Sequence, residues 1–109
     1  AWGDFDNDGY PDLFVANAVG STNRLYHNNG NGSFTRILTG KIVNELADSD
    51  CPVWGDYDND GDLDLFVTNY DPPRDFFYRN DGNGVGVSAN ATATGVACDE
   101  SDAFASMFQ

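Results

Sequence analysis

The stretch WGDFDNDGYPDLFVAN (residues 2–17) recurs as WGDYDNDGDLDLFVTN (residues 54–69), with 12 of the 16 aligned positions identical. The same shift of 52 residues places YHNNGNG (26–32) on YRNDGNG (78–84), with 5 of 7 positions identical. Because both pairs of blocks keep one register without a gap, they indicate a duplicated structural unit rather than two copies of a short motif.

Each unit predicts four short antiparallel strands and shows no amphipathic helical stripe. Short runs of aromatic and β-branched residues, bounded by Asp, Gly and Asn, are typical of strands. In the first unit they fall at residues 2–3, 13–16, 24–27 and 33–38, and in the second at 52–54, 65–68, 76–79 and 85–94. Asn-Gly pairs before each last strand favour tight turns. A four-stranded repeat of this length fits one β-propeller blade, so the predicted fold is all-β, a propeller fragment of about two four-stranded antiparallel blades.

The domain organisation follows the repeat. We expect one blade over residues 1–51, a second over 52–101, and the start of a third repeat at 102–109, where DAFASMF loosely echoes DSDCPVW (48–54) with two residues inserted. A closed propeller needs about 4–8 blades. The chain is therefore expected to be a fragment of a longer protein, or to associate with other copies.

Composition narrows the function classes. The 109 residues carry 5 basic and 18 acidic side chains, so the net charge is 5 − 18 = −13, and 16 of the 18 acids are Asp. Such a charge argues against nucleic acid or an anionic membrane as a partner. The aromatic content of 14% argues against a disordered acidic chain, and no apolar run reaches the roughly 18 residues of a membrane span. Asp favours turns and metal loops over helices.

Eight of the 16 aspartates occupy the D positions of two loops of the pattern DxDxDGxxD. Alternate positions of a tight loop can present their carboxylates to one point, and the glycine permits the sharp turn. The backbone carbonyl of Tyr10 or Asp62 could supply a further oxygen. Hard oxygen ligands in such a loop suit Ca²⁺, so we predict two Ca²⁺ sites, with the ligands Asp4, Asp6, Asp8, Tyr10 and Asp12 in one and Asp56, Asp58, Asp60, Asp62 and Asp64 in the other. The alternative is a pair of solvated acidic turns.

An EF-hand is excluded by two features. It requires a Glu at position 12 of the loop and flanking helices, whereas position 12 is Val15 or Val67 and the flanks are strand-like. The doubled loop followed by DLFV, with LYHNNGNGSF further on, resembles instead the FG-GAP-like (VCBS) repeat. The FG-GAP-like repeat forms the blade of integrin-α-type β-propellers. The repeats of this chain are most similar to those of cartilage acidic protein-like extracellular proteins and their bacterial relatives.

The resemblance implies a calcium-stabilised propeller in which the acidic loop links the first two strands of a blade. It implies an extracellular, cell-surface or periplasmic location and a role in adhesion, recognition, or binding of a protein or glycan. We therefore expect a non-enzymatic calcium-binding repeat domain. The alternative is a non-catalytic or accessory part of a polysaccharide-degrading propeller enzyme.

Other residues receive plainer interpretations. His27 corresponds to Arg79 in the second unit, which favours a surface strand residue over a catalytic base. Trp2, Trp54, Tyr26 and Tyr78 are expected in the core. The segment 70–74 differs most from its counterpart, 18–22, and is where ligand contacts would be sought first.

Two covalent features remain open at this point. Cys51 and Cys98 could pair across neighbouring blades, but their duplicated positions are not cysteines. Asn31 and Asn90 each begin an N-glycosylation triplet, a pattern that also arises by chance.

Overall fold

The first unit forms a four-stranded antiparallel sheet. The computed structural model describes residues 1–71, 75–80, 82 and 87–91, with Asp71 and residues 87–91 described as backbone alone. In spatial order the sheet consists of β1 (Trp2–Gly3), β2 (Asp12–Val15), β4 (Arg24–Asn28) and β5 (Phe34–Ile37). All four predicted strands of this unit are present.

The second unit repeats this arrangement. Its strands are β6 (Leu46–Gly55), β7 (Asp64–Asp71), β8 (Asp75–Arg79) and β9 (Val87–Ala91), again antiparallel neighbours in that order. The register repeats as well: Leu13 lies opposite Tyr26 in the first sheet, and Leu65 lies opposite Tyr78 in the second. The prediction of an all-β fragment with two four-stranded antiparallel blades is confirmed.

A fifth strand joins the two units. The two-residue strand β3 (Ser21–Thr22) belongs to the first unit but pairs with the start of β6, where Thr22 lies opposite Leu46. The second sheet therefore has five strands. The predicted boundary between residues 51 and 52 falls inside β6, and the division into domains stays a prediction.

The only helical segment among the described residues is a short 3-10 turn at Lys41–Val43 between β5 and β6. Its Ile42 and Val43 are buried, so this connection contributes to the core although it carries no regular apolar pattern. The core is one cluster of side chains from both units, made of Phe5, Phe14, Leu25, Ile42, Val43, Ala47, Trp54, Leu65, Val67, Phe76 and Tyr78.

Trp54 forms an apolar contact between the units. Its ring stacks on Phe5 (centroids 6.3 Å apart) and meets Phe14 edge-on at 6.4 Å. Trp54 and Tyr78 are buried as predicted, and Tyr26 is half-buried. The prediction for Trp2 is wrong: this side chain is 61% exposed. Trp54 covers the unit that precedes it, and no described unit offers Trp2 such a surface.

Candidate metal-binding loops

The two acidic loops occupy the same place in both sheets. Residues 4–11 connect β1 to β2, and residues 56–63 connect β6 to β7. Each loop turns through two residues in the left-handed region, Asn7 (φ 58°) and Gly9 (φ 91°) in the first, Asn59 (φ 61°) and Gly61 (φ 91°) in the second. Asn and Gly are the residues that adopt this conformation most readily. The sequence NDG thus fixes the tight bend that gathers the carboxylates.

Backbone N–H groups hold the first carboxylate of each loop. Asp4 accepts hydrogen bonds from the amides of Asp8 (3.2 Å) and Gly9 (2.8 Å). Asp56 accepts the equivalent bonds from Asp60 (3.0 Å) and Gly61 (2.8 Å). The bond from Gly61 is the main reason that the pKa of Asp56 lies below its ordinary value. The hydrogen bonds fix the direction of the first carboxylate in both loops, and in the second loop they favour the ionised form of Asp56.

The last carboxylate of each loop is fully buried. Asp12 accepts bonds from the amides of Phe5 (3.1 Å) and Asn28 (2.7 Å), and both Asp12 and Asp64 have no exposed surface. Asp64 accepts bonds from the amides of Tyr57 (3.2 Å) and Asn80 (2.7 Å). Burial raises the pKa of both carboxyl groups against the opposing effect of these bonds. A cation beside them would favour the ionised form.

The carboxylates converge. In the second loop one oxygen from each of Asp56, Asp58, Asp60 and Asp64 lies within 4.8 Å of the others. In the first loop Asp4, Asp6 and Asp8 meet this distance as one group, and Asp6, Asp12 and His27 as another. Burial, followed by the charges of Asp12 and Asp8, raises the pKa of Asp6 to about 6. This crowding of oxygen donors fits a hard divalent cation such as Ca²⁺.

The carbonyl ligands predicted at Tyr10 and Asp62 stay predictions. The amides of these residues donate to Asp8 and Asp60, at 2.9 Å in both loops. The Asp62 carboxylate lies outside the cluster and accepts a bond from the Asn7 amide group of the first loop at 2.7 Å. Its side chain thus contacts the other loop.

Two basic residues, His27 and Arg79, reach the loops from the third strand of each unit. His27 Nδ1 lies 2.9 Å from Asp6 and 3.3 Å from Asp12, and Arg79 Nε lies 3.1 Å from Asp58. The sequence interpretation of His27 as a surface strand residue missed this contact. The signal available in the sequence was that both units place a basic residue at the same position.

A chain of hydrogen bonds joins the two buried carboxylates. The Phe5 amide donates to Asp12, and the Phe5 carbonyl accepts from the Asn80 side chain at 2.6 Å. The Asn80 amide in turn donates to Asp64, and Asn80 has no exposed surface. The Asn80 side chain therefore braces the first loop from the second unit.

The remaining predicted features lie apart from the loops. Residues 18–22 border an open cavity of about 520 Å³ lined by Asn17, Ala18, Ser21, Thr22, Arg24 and Leu46. Asn31 is exposed and Cys51 is buried. Cys98 and the Asn90 side chain lie outside the described part of the chain, as do residues 72–74 of the variable segment and the predicted third repeat.

Two antiparallel four-stranded units, each with an acidic loop between its first two strands, define a repeat domain of the β-propeller class. The model of the FG-GAP-like repeat matches residues 4–67. This span is more than half of the chain and covers both loops, and the chain belongs to that family. No similarity was found to a curated protein or to a solved structure. Among the described residues, no helix is long and apolar enough to cross a membrane.

Proposed function

We propose that the two loops bind Ca²⁺ and that the ions stabilise the blades. The observation that carries the proposal is a repeated geometry: equivalent backbone amides hold the first and last carboxylates in both loops. A solvated acidic turn requires neither a buried carboxylate nor a matching constellation 52 residues away. The residues that would hold the ions are Asp4, Asp6, Asp8, Asp12 and the Tyr10 carbonyl in one loop, and Asp56, Asp58, Asp60, Asp64 and the Asp62 carbonyl in the other.

The physical contribution of the ion is electrostatic. Like charges within 4.8 Å repel one another, and a divalent cation would convert this repulsion into attraction. Because each loop joins the first two strands of its sheet, the ion would hold these strands in register. Extracellular modules bind calcium with a Kd of about 10⁻⁴–10⁻³ M, so millimolar calcium would add about 0.4–1.4 kcal/mol per site.

We further propose a non-enzymatic role outside the cytosol, where calcium reaches millimolar concentration. Arg79 forms an ion pair with Asp58, and His27 lies 2.9 Å from Asp6; these contacts support a structural use of both side chains. Recognition of a protein or glycan would fall to the loops between strands, such as residues 18–22, which border an open cavity.

Calorimetric titration with calcium tests the metal proposal. We expect two sites in the wild type and one in each of Asp8→Ala and Asp60→Ala, whereas the exposed Asp50→Ala, outside both loops, keeps two. Melting in calcium and in a chelator supplies a second readout. An unchanged melting temperature together with no binding heat would refute calcium binding.

A further inference from the structure

His27, the only histidine of the chain, gives the first loop an imidazole that the second loop lacks. The ring is half-buried, and its Nδ1 atom is enclosed 2.9 Å from Asp6 Oδ2 and 3.3 Å from Asp12 Oδ1. Nδ1 nevertheless forms no aligned hydrogen bond with the described residues, although buried polar atoms normally have a partner. A ring nitrogen and two carboxylate oxygens that meet without such a bond are arranged as ligands of a common cation.

The three side chains are held in place by different elements. Asp12 begins β2, and its carboxylate accepts bonds from the amides of Phe5 and Asn28. His27 lies on β4, where its ring meets the Phe5 ring edge-on with centroids 6.3 Å apart. Asp6 lies in the loop, and one ligand atom from each of the three residues is within 4.8 Å of the others. Outer hydrogen bonds such as those to Asp12 orient the ligands of metal sites.

The mixed set of nitrogen and oxygen ligands favours a different ion from an all-oxygen site. Ca²⁺ takes oxygen ligands, whereas imidazole suits Zn²⁺. Zn²⁺ binds His nitrogen and carboxylate oxygen tetrahedrally at about 2.0–2.2 Å, which places two ligand atoms about 3.3 Å apart. The distances from His27 to Asp6 and Asp12, 2.9 and 3.3 Å, are of this size. Three protein ligands would leave the fourth position to water.

The second loop has a different set of neighbours. Arg79 follows His27 by 52 residues, and its Nε donates to Asp58 at 3.1 Å. A guanidinium keeps its protons and has no lone pair to offer a metal. In the first loop Asp12 groups with Asp6 and His27, whereas the close group of the second loop consists of four aspartates. The two copies of the loop therefore differ in the ligands that they present.

We propose that Asp6, Asp12 and His27 form a Zn²⁺ site in the first loop. This inference rests on the same loop as the calcium site proposed above, and the two ions would compete there because Asp6 and Asp12 serve both. The second loop would bind Ca²⁺ alone. The duplication would thus have produced two loops of one shape with different metal preferences.

Calorimetric titration of the full chain with Zn²⁺, in the absence of calcium, tests the site. We expect one zinc site in the wild type and an affinity at least about tenfold lower in His27→Asn, since the loss of an outer partner alone costs about 10–100-fold. The matched control is Arg79→Asn, a substitution at the equivalent position, which should bind zinc as the wild type does. Arg79→His should add a second zinc site. Equal zinc affinities of the wild type and His27→Asn, or a single site in Arg79→His, would overturn the proposal.

Nitrogen NMR of the imidazole supplies a readout that needs no variant. Because the chain has a single histidine, both ring signals belong to His27. Zn²⁺ should shift the Nδ1 signal more than the Nε2 signal, and a shift that is absent or larger at Nε2 would overturn the assignment.

Calcium titration without zinc separates this inference from the proposed function. Two calcium sites in a chain that binds no zinc would overturn the zinc site alone. Zinc bound at Nδ1 in a chain that binds no calcium would support the zinc site and overturn the calcium sites.

Discussion

Asn80 gives the sharpest test of how the two units are held together. Its side chain donates to the Phe5 carbonyl at 2.6 Å and accepts from the Gly82 amide at 3.0 Å. Asn80→Ala removes both bonds, while the backbone bond from residue 80 to Asp64 is kept. Two net hydrogen bonds are worth about 1 kcal/mol each, and leaving the buried Phe5 carbonyl unpaired adds about 1–3 kcal/mol. We expect the free energy of unfolding to fall by about 3–5 kcal/mol in total.

The first unit provides the matched control. Asn28 precedes Asn80 by 52 residues, and it makes the same turn bond, from the Gly30 amide at 3.0 Å. Its side chain, however, donates to the Pro11 carbonyl of its own unit at 2.9 Å in an exposed position. Asn28→Ala deletes the same atoms, and water can replace the lost partners. The expected loss is about 1 kcal/mol or less.

Urea denaturation followed by tryptophan fluorescence measures both variants, with calcium present so that each retains a folded baseline. The difference between them reports the bond across the units. Equal losses for Asn80→Ala and Asn28→Ala would show that this bond does not stabilise the contact. A lower m-value for Asn80→Ala would mean that the units no longer unfold together, and its stability would then have to be fitted with an intermediate.

Three further outcomes follow from the geometry. Trp54→Ala should lower the free energy of unfolding, measured by urea denaturation, by about 3–5 kcal/mol, because the ring is buried between the units. Trp2→Ala should lower it by less than about 1 kcal/mol, because that ring is exposed. Similar losses for the two variants would contradict the packing described. Arg79→Gln should tighten calcium binding at the second loop about two- to fivefold by calorimetry, since the exposed guanidinium beside Asp58 competes with the ion. Weaker binding in this variant would refute the competition. The pKa of Asp6 is raised from 3.8 to about 6, so this group contributes stability that is fully present below pH 3.8 and is lost as the pH rises through about 6. In chelator, the wild type should therefore gain stability relative to Asp6→Asn as the pH falls through this window. A difference in stability that stays constant with pH would refute the assignment.

The strands could be predicted from the sequence because each is specified by a short run of residues, and the same run occurs in both units. The runs after each acidic loop became β2 and β7, and the Asn-Gly turns preceded β5 and β9 as expected. The weak segment 85–94 contains β9, Val87–Ala91, although small residues fill it. Pairing with β8 supplies backbone hydrogen bonds that do not depend on bulky side chains.

The contacts between units could not be predicted in this way. The pairing of β3 with β6 involves two residues and no apolar pattern, and the role of Asn80 depends on a carbonyl 75 positions earlier. The exposure of Trp2 was also missed, because its identity with Trp54 in the alignment suggested the same environment. A duplicated sequence predicts the strands and turns within each unit. The burial of a side chain at the edge of a unit depends on the neighbouring unit that packs against it.

The bond between Asn80 and Phe5 also bears on the order of events during synthesis. Its partners are 75 residues apart, so a growing chain exposes the first acidic loop long before the side chain that braces it emerges from the ribosome. Closing a separation of this length is entropically slow compared with forming a hairpin. Until residue 80 has been synthesised, the Phe5 carbonyl of the first loop would lack this partner. In such an array, each blade would complete its contacts only after the next blade has been synthesised.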